Sequence, residues 1–357
     1  MTDIYTVKIA DLYKETKDTV VLTFDIPEEL HETLRFIQGQ HLILRKTIDG
    51  EDVRRTYSLC TSPDDNIWKV AIKHIPGGVF STYANKSLKK GDTIDIMKPS
   101  GNFFVKTNPE HANNYIAFAA GSGITPIISM IKTHLEREPN STFKLFYLNK
   151  TTKSIIFKEE IERLKNLYFQ RFHVFYFLTK EQRDIEFLNG RFDKEKMEIL
   201  TNNFIDIEDT AHCFLCGPKD MIFLIQDELI AAGMPKKNIH YELFFSGDAE
   251  VSDLQFAETL DKMPDGTVVT IIDGGKEFHF TMDDGYQTLL DGALAEGADL
   301  PFACKGGVCS TCRCKVIEGE VKMKVNYALE QHELDQNLVL SCQAVPISDK
   351  IIVDFDI

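Results

Sequence analysis

Four cysteines near the C-terminal end constrain this chain most. Cys304, Cys309 and Cys312 form a C-x4-C-x2-C run, and Cys342 follows after a long gap. Four thiolates at this spacing are the ligand pattern of a [2Fe–2S] cluster, whose iron changes oxidation state one electron at a time. Whatever fold the chain adopts must bring residue 342 back beside the 304–312 loop. Gly306 and Gly307 fall between the first two ligands, where backbone without Cβ atoms can wrap tightly and aim amide N–H groups at sulfur. Ser310 and Thr311 keep the second interval small and polar. A structural zinc site would prefer two C-x2-C knuckles. Here Cys309 and Cys312 make one such pair, and Cys304 and Cys342 do not make a second.

The other cysteines, Cys60, Cys213, Cys216 and Cys314, lack the spacing of a disulfide framework, and 357 residues can bury a core without one. The opening residues MTDIYTVKIADLYKE mix charges throughout, unlike a secretory leader. No apolar run reaches the 18 residues a membrane span needs. The expectation is a soluble, cytoplasmic protein of a reducing compartment that engages no membrane. Net charge is −15, and residues 265–357 hold 16 acids against 7 bases. That acidity disfavours nucleic-acid binding, which wants a basic stripe. It can steer a basic partner or simply keep the surface soluble.

Three textures succeed one another. Residues 1–108 carry short β-type runs at Thr6–Ala10, Thr19–Phe24, His41–Leu44, Arg55–Leu59, Trp68–Ile72 and Thr93–Met97, which predict an antiparallel β-barrel. Residues 109–245 alternate strand and helix. Tyr115–Ala120 precedes Pro126–Leu135, Phe143–Leu148 precedes Ile155–Leu167, and His212–Cys216 precedes Met221–Ala231, which predicts a doubly wound parallel sheet. Residues 246–264 read as an acidic linker. Residues 265–357 form an α+β module with strands near Thr267–Ile272 and Glu277–Thr281 and a helix near Gln287–Glu296.

The barrel region holds two segments suited to a flavin. In Arg55-Thr56-Tyr57-Ser58, Arg can meet a phosphate, Tyr can pack on a ring, and Ser can hydrogen-bond the redox-active edge. Alone it could be an ordinary sheet edge. The run from Lys73 through Gly77, Gly78, Ser81 and Thr82 adds two glycines before a helix start, a good place for a pyrophosphate. In the α/β region, Gly121-Ser122-Gly123-Ile124-Thr125-Pro126 turns from strand to helix, although it lacks the third glycine of G-x-G-x-x-G. Cys216-Gly217-Pro218 closes a later strand. Both turns belong at the carboxyl ends of parallel strands, where ligands bind. Cys216 there is either a buried thiol or a nicotinamide contact.

Together these segments resemble the ferredoxin–NADP reductase superfamily, with a ferredoxin domain fused at the C-terminus. The resemblance covers essentially the whole chain. The domain order and the segment Asn149-Lys150-Thr151…Ser154-Ile155-Ile156-Phe157 are similar to the reductase subunits of phenylacetyl-CoA epoxidases. The resemblance implies an FAD barrel, a nicotinamide-nucleotide domain and a β-grasp [2Fe–2S] domain. It implies that Arg55, Tyr57 and Ser58 bind FAD, with Ser58 near the reactive flavin nitrogen. Gly77, Gly78, Ser81 and Thr82 would sit at the pyrophosphate. Gly121, Gly123, Thr125 and Pro126 would line the nucleotide site. Cys216 would lie beside the hydride path, and Glu242, in Tyr241-Glu242-Leu243-Phe244, matches the acidic residue near the end of the reductase core.

An acid at the end of the second strand would hydrogen-bond a ribose 2′-hydroxyl and repel a 2′-phosphate. Asn149 and Lys150 stand there instead, with Lys153 and Lys158 following, which favours NADPH over NADH. The electron path expected is NADPH to FAD to the cluster to an oxygenase or epoxidase component. This needs no general acid–base pair, so His74, His240 and His332 are expected to be structural or surface groups. Other acceptors fit the same pattern, including an aromatic-ring oxygenase, a hybrid-cluster protein or a free ferredoxin. So does a redox-sensing carrier.

Overall fold

The computed structural model describes residues 4–244, 266–283 and 285–357. The acidic linker expected at 246–264 lies outside the described residues. The chain divides into two compact units. The larger comprises Tyr5–Val53 and Tyr57–Phe244; the smaller takes the described residues from 266 onward together with Arg54–Thr56. No helix among the described residues is long and apolar enough to cross a membrane.

The larger unit begins with strands β1 (Ile4–Thr16), β2 (Thr19–Asp25), β3 (His41–Ile48), β4 (Glu51–Ser58), β5 (Lys69–Lys73) and β6 (Thr93–Met97), with helix α1 (Val79–Lys86) between the last two. Their order in the sheet is β4-β3-β6-β1-β2-β5, and a bridge between Leu59 and Val70 links its two edges into a barrel. The six predicted strands are all present. Val7, Ile9, Val20, Leu22, Leu42, Leu44, Val70 and Ile72 are buried in one apolar cluster, the inward set of the alternating strands.

The same unit continues with β7 (Asn114–Ala120), α2 (Ile124–Arg137), β8 (Thr142–Asn149), α3 (Lys158–Leu167), β9 (Phe172–Leu178), α4 (Lys194–Asn203), β10 (Thr210–Gly217), α5 (Lys219–Ala231) and β11 (Ile239–Leu243). All five strands are parallel, in the order β11-β10-β7-β8-β9. Tyr115 to Ala119 of β7 are buried without alternation, as a strand covered on both faces requires. The chain leaves β7 toward β8 and β9, then returns to the other side of β7 at β10. The gap between the carboxyl ends of β7 and β10 is therefore the switch point at which such sheets take ligands. Strands β9 and β11 and helix α4 extend the predicted pattern.

The smaller unit contains β12 (Thr267–Asp273), β13 (Lys276–Met282), α6 (Leu289–Ala295), β14 (Arg313–Glu318), β15 (Val321–Met323), α7 (Gln331–Leu334), β16 (Leu338–Leu340), β17 (Ala344–Pro346) and β18 (Lys350–Asp354). Its main sheet runs β13-β12-β18-β14-β16, with β12 and β18 parallel and the hairpin β12–β13 antiparallel. Helix α6 buries Leu289, Leu290 and Ala293 in the core, and the Thr288 hydroxyl caps it by accepting from the Asp291 N–H at 3.2 Å. Helix α6 packed on a sheet with parallel central strands is the β-grasp arrangement expected of this region.

Candidate active site and cluster loop

At the switch point the two glycine turns meet. Gly121, at φ +53°, opens a short 3-10 turn after β7, and α2 follows from Ile124. A Cβ on Gly123 would lie 2.1 Å from the Cys216 carbonyl oxygen, so only glycine lets the α2 turn come this close to β10. Gly217 is less tightly confined, by the movable end of the Met221 side chain at 2.7 Å and by Ala120 Cβ at 3.0 Å. Thr125 is buried, with its hydroxyl donating to the Ser122 carbonyl at 3.0 Å. Pro126 fills the first turn of α2, and Pro218 caps α5 from the solvent side.

Three side chains from different elements are linked through Glu242. Cys216 and Glu242 are register partners on β10 and β11. The Ser58 hydroxyl, at the end of β4, donates to Glu242 Oε2 at 3.3 Å. Ser58, Cys216 and Glu242 are thus brought together from the barrel and the parallel sheet. The Cys216 side chain is fully buried, and burial first, then the Glu242 charge, pushes its thiol well above the ordinary range.

His41 was not among the sequence candidates. Its Nδ1 lies 3.6 Å from Glu242 Oε1, and its Nε2 is 3.2 Å from the Ser100 hydroxyl. Gly101, at φ +114°, makes room for the ring, since a Cβ there would be 3.0 Å from His41 Nδ1. A lone histidine on a strand gives no sequence signal. Its partners come from distant parts of the chain.

The remaining flavin-side candidates lie along the barrel. Arg55 is exposed, and its Nη1 donates to the Arg54 carbonyl at 2.7 Å. The Tyr57 ring is half-buried, 5.5 Å from that of Phe80. Gly77 takes φ +79° and Gly78 caps α1. Ser81 is turned inward: its hydroxyl accepts from the Ile75 N–H at 3.1 Å and so closes the glycine turn itself. Thr82 pairs with His74 Nε2 at 3.3 Å. Lys73 lies 3.9 Å from Asp18, and its Nζ would be 3.5 Å from a Cβ on Gly121.

On the nucleotide side, Asn149 ends β8 with only 5% of its surface exposed and with neither amide atom hydrogen-bonded. A buried amide without partners is costly, and a polar ligand group would satisfy it. Lys150 is exposed beside it. Tyr147, fully buried, donates to the Gly121 carbonyl at 2.8 Å and ties β8 to the glycine turn.

In the smaller unit the four cysteines stand as two pairs. Cys304 and Cys309 shift each other's ionisation most strongly, and so do Cys312 and Cys342. Cys304 is inclined to ionise, first by the Cys309 thiol and then by backbone N–H groups including that of Gly306, which is 3.3 Å from its sulfur. Cys342 is likewise lowered, first by Cys312. Among the described residues no three His, Cys, Asp or Glu side chains converge as a single-ion site would need. Two thiol pairs match two irons with two protein ligands each. The loop curls through left-handed residues at Lys305, Gly307 and Ser310. Of the two glycines expected to enable the wrap, Gly307 takes a positive φ, and the other left-handed positions are not glycine.

The chain matches known families along most of its length. Residues 6–105 match the oxidoreductase FAD-binding domain, 118–227 the oxidoreductase NAD-binding domain, and 271–346 the 2Fe-2S iron-sulfur cluster binding domain. It is 41% identical to a subunit of the 1,2-phenylacetyl-CoA epoxidase of Escherichia coli (strain K12), covering 100% of this chain and 99% of that one. It is 32% identical to the ferredoxin reductase component of the 3-ketosteroid-9-alpha-monooxygenase of Rhodococcus rhodochrous, covering 97% and 95%. In fold it resembles phthalate dioxygenase reductase, with a TM-score of 0.61 at 20% identity over 99% of this chain and 98% of that one. The chain belongs to the family of oxygenase reductase components that join FAD-binding, NAD-binding and [2Fe–2S] domains in one polypeptide.

Proposed function

We propose that this chain is the reductase component of a phenylacetyl-CoA epoxidase, drawing electrons from NADPH and delivering them to the oxygenase component. Its likeness to the Escherichia coli protein over the full length of both chains carries this reading. The convergence of Ser58, Cys216 and Glu242 at the switch point gives it a mechanism. The residues of the barrel would hold FAD, which when bound would supply the two-electron to one-electron conversion that an iron site needs.

The chain's own residues then divide the work. Ser58 presents its hydroxyl to the flavin's reactive edge, and Glu242 holds that hydroxyl in place. Arg55 and Tyr57 hold the flavin's phosphate and ring from β4. Lys73, Gly77, Gly78 and Thr82 border its pyrophosphate, and Ser81 shapes that turn from inside. Gly121, Gly123, Thr125 and Pro126 admit the nucleotide at the head of α2. Cys216 and Gly217 at the end of β10 and Pro218 just beyond it face the nucleotide, so the buried Cys216 thiol must be uncovered as the nicotinamide enters. Cys304, Cys309, Cys312 and Cys342 ligate the cluster.

The preference for NADPH rests on Asn149 and Lys150. The nearby Glu181 carboxylate accepts from the Thr152 N–H at 2.7 Å and hydroxyl at 2.6 Å, so it is engaged within the turn rather than offered to a ribose 2′-hydroxyl. The domain limits that go with this reading are 1–108, 109–245, 246–264 as linker and 265–357, in a cytoplasmic protein.

Anaerobic titration of the purified protein tests the path. NADPH should bleach the flavin and cluster spectra more readily than NADH, and the reduced protein should then support turnover by a phenylacetyl-CoA oxygenase component. No bleaching by either nucleotide would refute the path. Turnover with a steroid or aromatic-ring oxygenase in its place would refute the assigned partner. A Cys342→Ser variant should lose the normal [2Fe–2S] spectrum.

A further inference from the structure

We propose that Gln343 is a positioning residue of the cluster site that raises its reduction potential through a side-chain N–H···S hydrogen bond to Cys342. The inference rests on the reading of Cys342 as an iron ligand. Gln343 is buried, and its Nε2 lies 3.5 Å from Cys342 Sγ and 2.9 Å from the Lys305 carbonyl. A primary amide has two N–H donors, and here one faces the sulfur of the fourth cysteine while the other holds the loop that follows the first.

The side chain has little freedom to leave that position. Its backbone N–H donates to the Leu340 carbonyl at 2.8 Å, and its carbonyl accepts from Lys324 at 2.9 Å. Gly307 approaches so closely that a Cβ there would lie 3.2 Å from Gln343 Cγ. The carbonyl it holds belongs to Lys305, one of the left-handed residues of the loop. Fixed at both ends, the amide keeps its dipole aimed at Cys342.

An electron delivered to the site adds negative charge that spreads onto the cysteine sulfurs. A donor fixed against one of them favours the reduced state, and hydrogen bonds to sulfur are among the terms that set such potentials. Burial removes the water that would otherwise screen the effect. The plainer alternative is that Gln343 serves only as a staple between residues 305 and 342, with no influence on the electron equilibrium.

Potentiometric titration of the holoenzyme, followed by EPR of the reduced cluster, separates the two. Gln343→Leu removes both donors at similar volume. It should shift the reduction equilibrium about tenfold toward the oxidised form, about 59 mV more negative for one electron. Gln343→Glu, which sets a carboxylate against the sulfur, should shift it in the same direction and further. A Gln343→Leu protein with full cluster content and an unchanged potential would overturn the proposal.

If neither variant assembles a cluster, the wild-type holoenzyme decides. With glutamine labelled by 15N in the side chain, pulsed EPR of the reduced state should show a coupled side-chain nitrogen, and its absence would overturn the proposal. Retention of a normal [2Fe–2S] spectrum by Cys342→Ser would remove the ligand assignment and the proposal with it. An unchanged potential in Gln343→Leu would remove the proposal alone.

Discussion

Ser58 stands at the end of a barrel strand and Glu242 on the edge strand of the parallel sheet, yet their oxygens are 3.3 Å apart. Glu242 also faces His41, itself held by Ser100, so its carboxylate has a polar neighbour on each side. Ser58→Ala should slow flavin reduction at saturating nucleotide by about a hundredfold to a thousandfold, the scale of a lost hydrogen-bonding group at a reacting centre. Glu242→Leu should fall in the same range because, with no acceptor left, it frees the serine rotor. If the two act through one hydrogen bond, the double variant will lose much less than the product of the single losses. Stopped-flow flavin absorbance reads this step, and fully multiplicative losses would show that the residues act separately. Ser58 was legible from its R-x-Y-S segment and Glu242 from a family resemblance. His41 was not legible, because its importance lies wholly in contacts made across the fold.

Elements set how closely the lobes of the site approach, and glycine decides that at two turns. At Gly123 the obstacle to a side chain is the Cys216 carbonyl at 2.1 Å, whereas at Gly233, just beyond α5, the space is open and only the φ of +102° matters. Gly123→Ala should therefore push α2 away from β10, weaken nucleotide affinity more than about tenfold and cost about 1–3 kcal/mol, the scale of overpacking. Gly233→Ala should cost about 1 kcal/mol and leave nucleotide affinity unchanged. Equal affinities in the two variants would show that the close approach of α2 to β10 does not shape the site. Long apolar runs such as Tyr115–Ala120 announced their strands, and the glycine turns announced the edge where ligands bind. Strand β11 carries His, Tyr and Glu among its five residues, and β15, β16 and β17 have three residues each. Segments so short or polar are specified by partners far along the chain, which local pattern does not reveal.

Across the whole larger unit, a polar cluster occupies the amino ends of the parallel strands, opposite the edge that takes the nucleotide. Glu138 is fully buried. Burial alone would raise its pKa, but His134, Ser141, the Asn108 N–H and Tyr115 together hold it down to about 2. Nearby, His212 Nδ1 is 3.0 Å from His240 Nε2, and Tyr115, Phe214, His134, His111 and Glu138 are the groups around the pair. Burial, then the neighbouring His212, lowers His240 to about 4; His212 is lowered first by burial and then by His134 and His111. An unfolded histidine titrates near 6.5, so between about pH 6.5 and 4 the unfolded chain binds more protons at His240 than the folded one. Stability must fall as pH drops through that window. Glu138 has linkage of the same sign at lower pH: its stabilisation is present above about pH 4.5 and is lost as pH falls toward 2. The His240 loss therefore comes first as pH falls, and the Glu138 loss follows it. His240→Phe keeps a ring against Phe214 and removes the titration, so its melting temperature should decline less between pH 7 and 5 than that of the wild type. Nucleotide affinity, set at the opposite edge of the sheet, should show no matching change. An equal decline in both proteins would place the acid sensitivity elsewhere in the molecule.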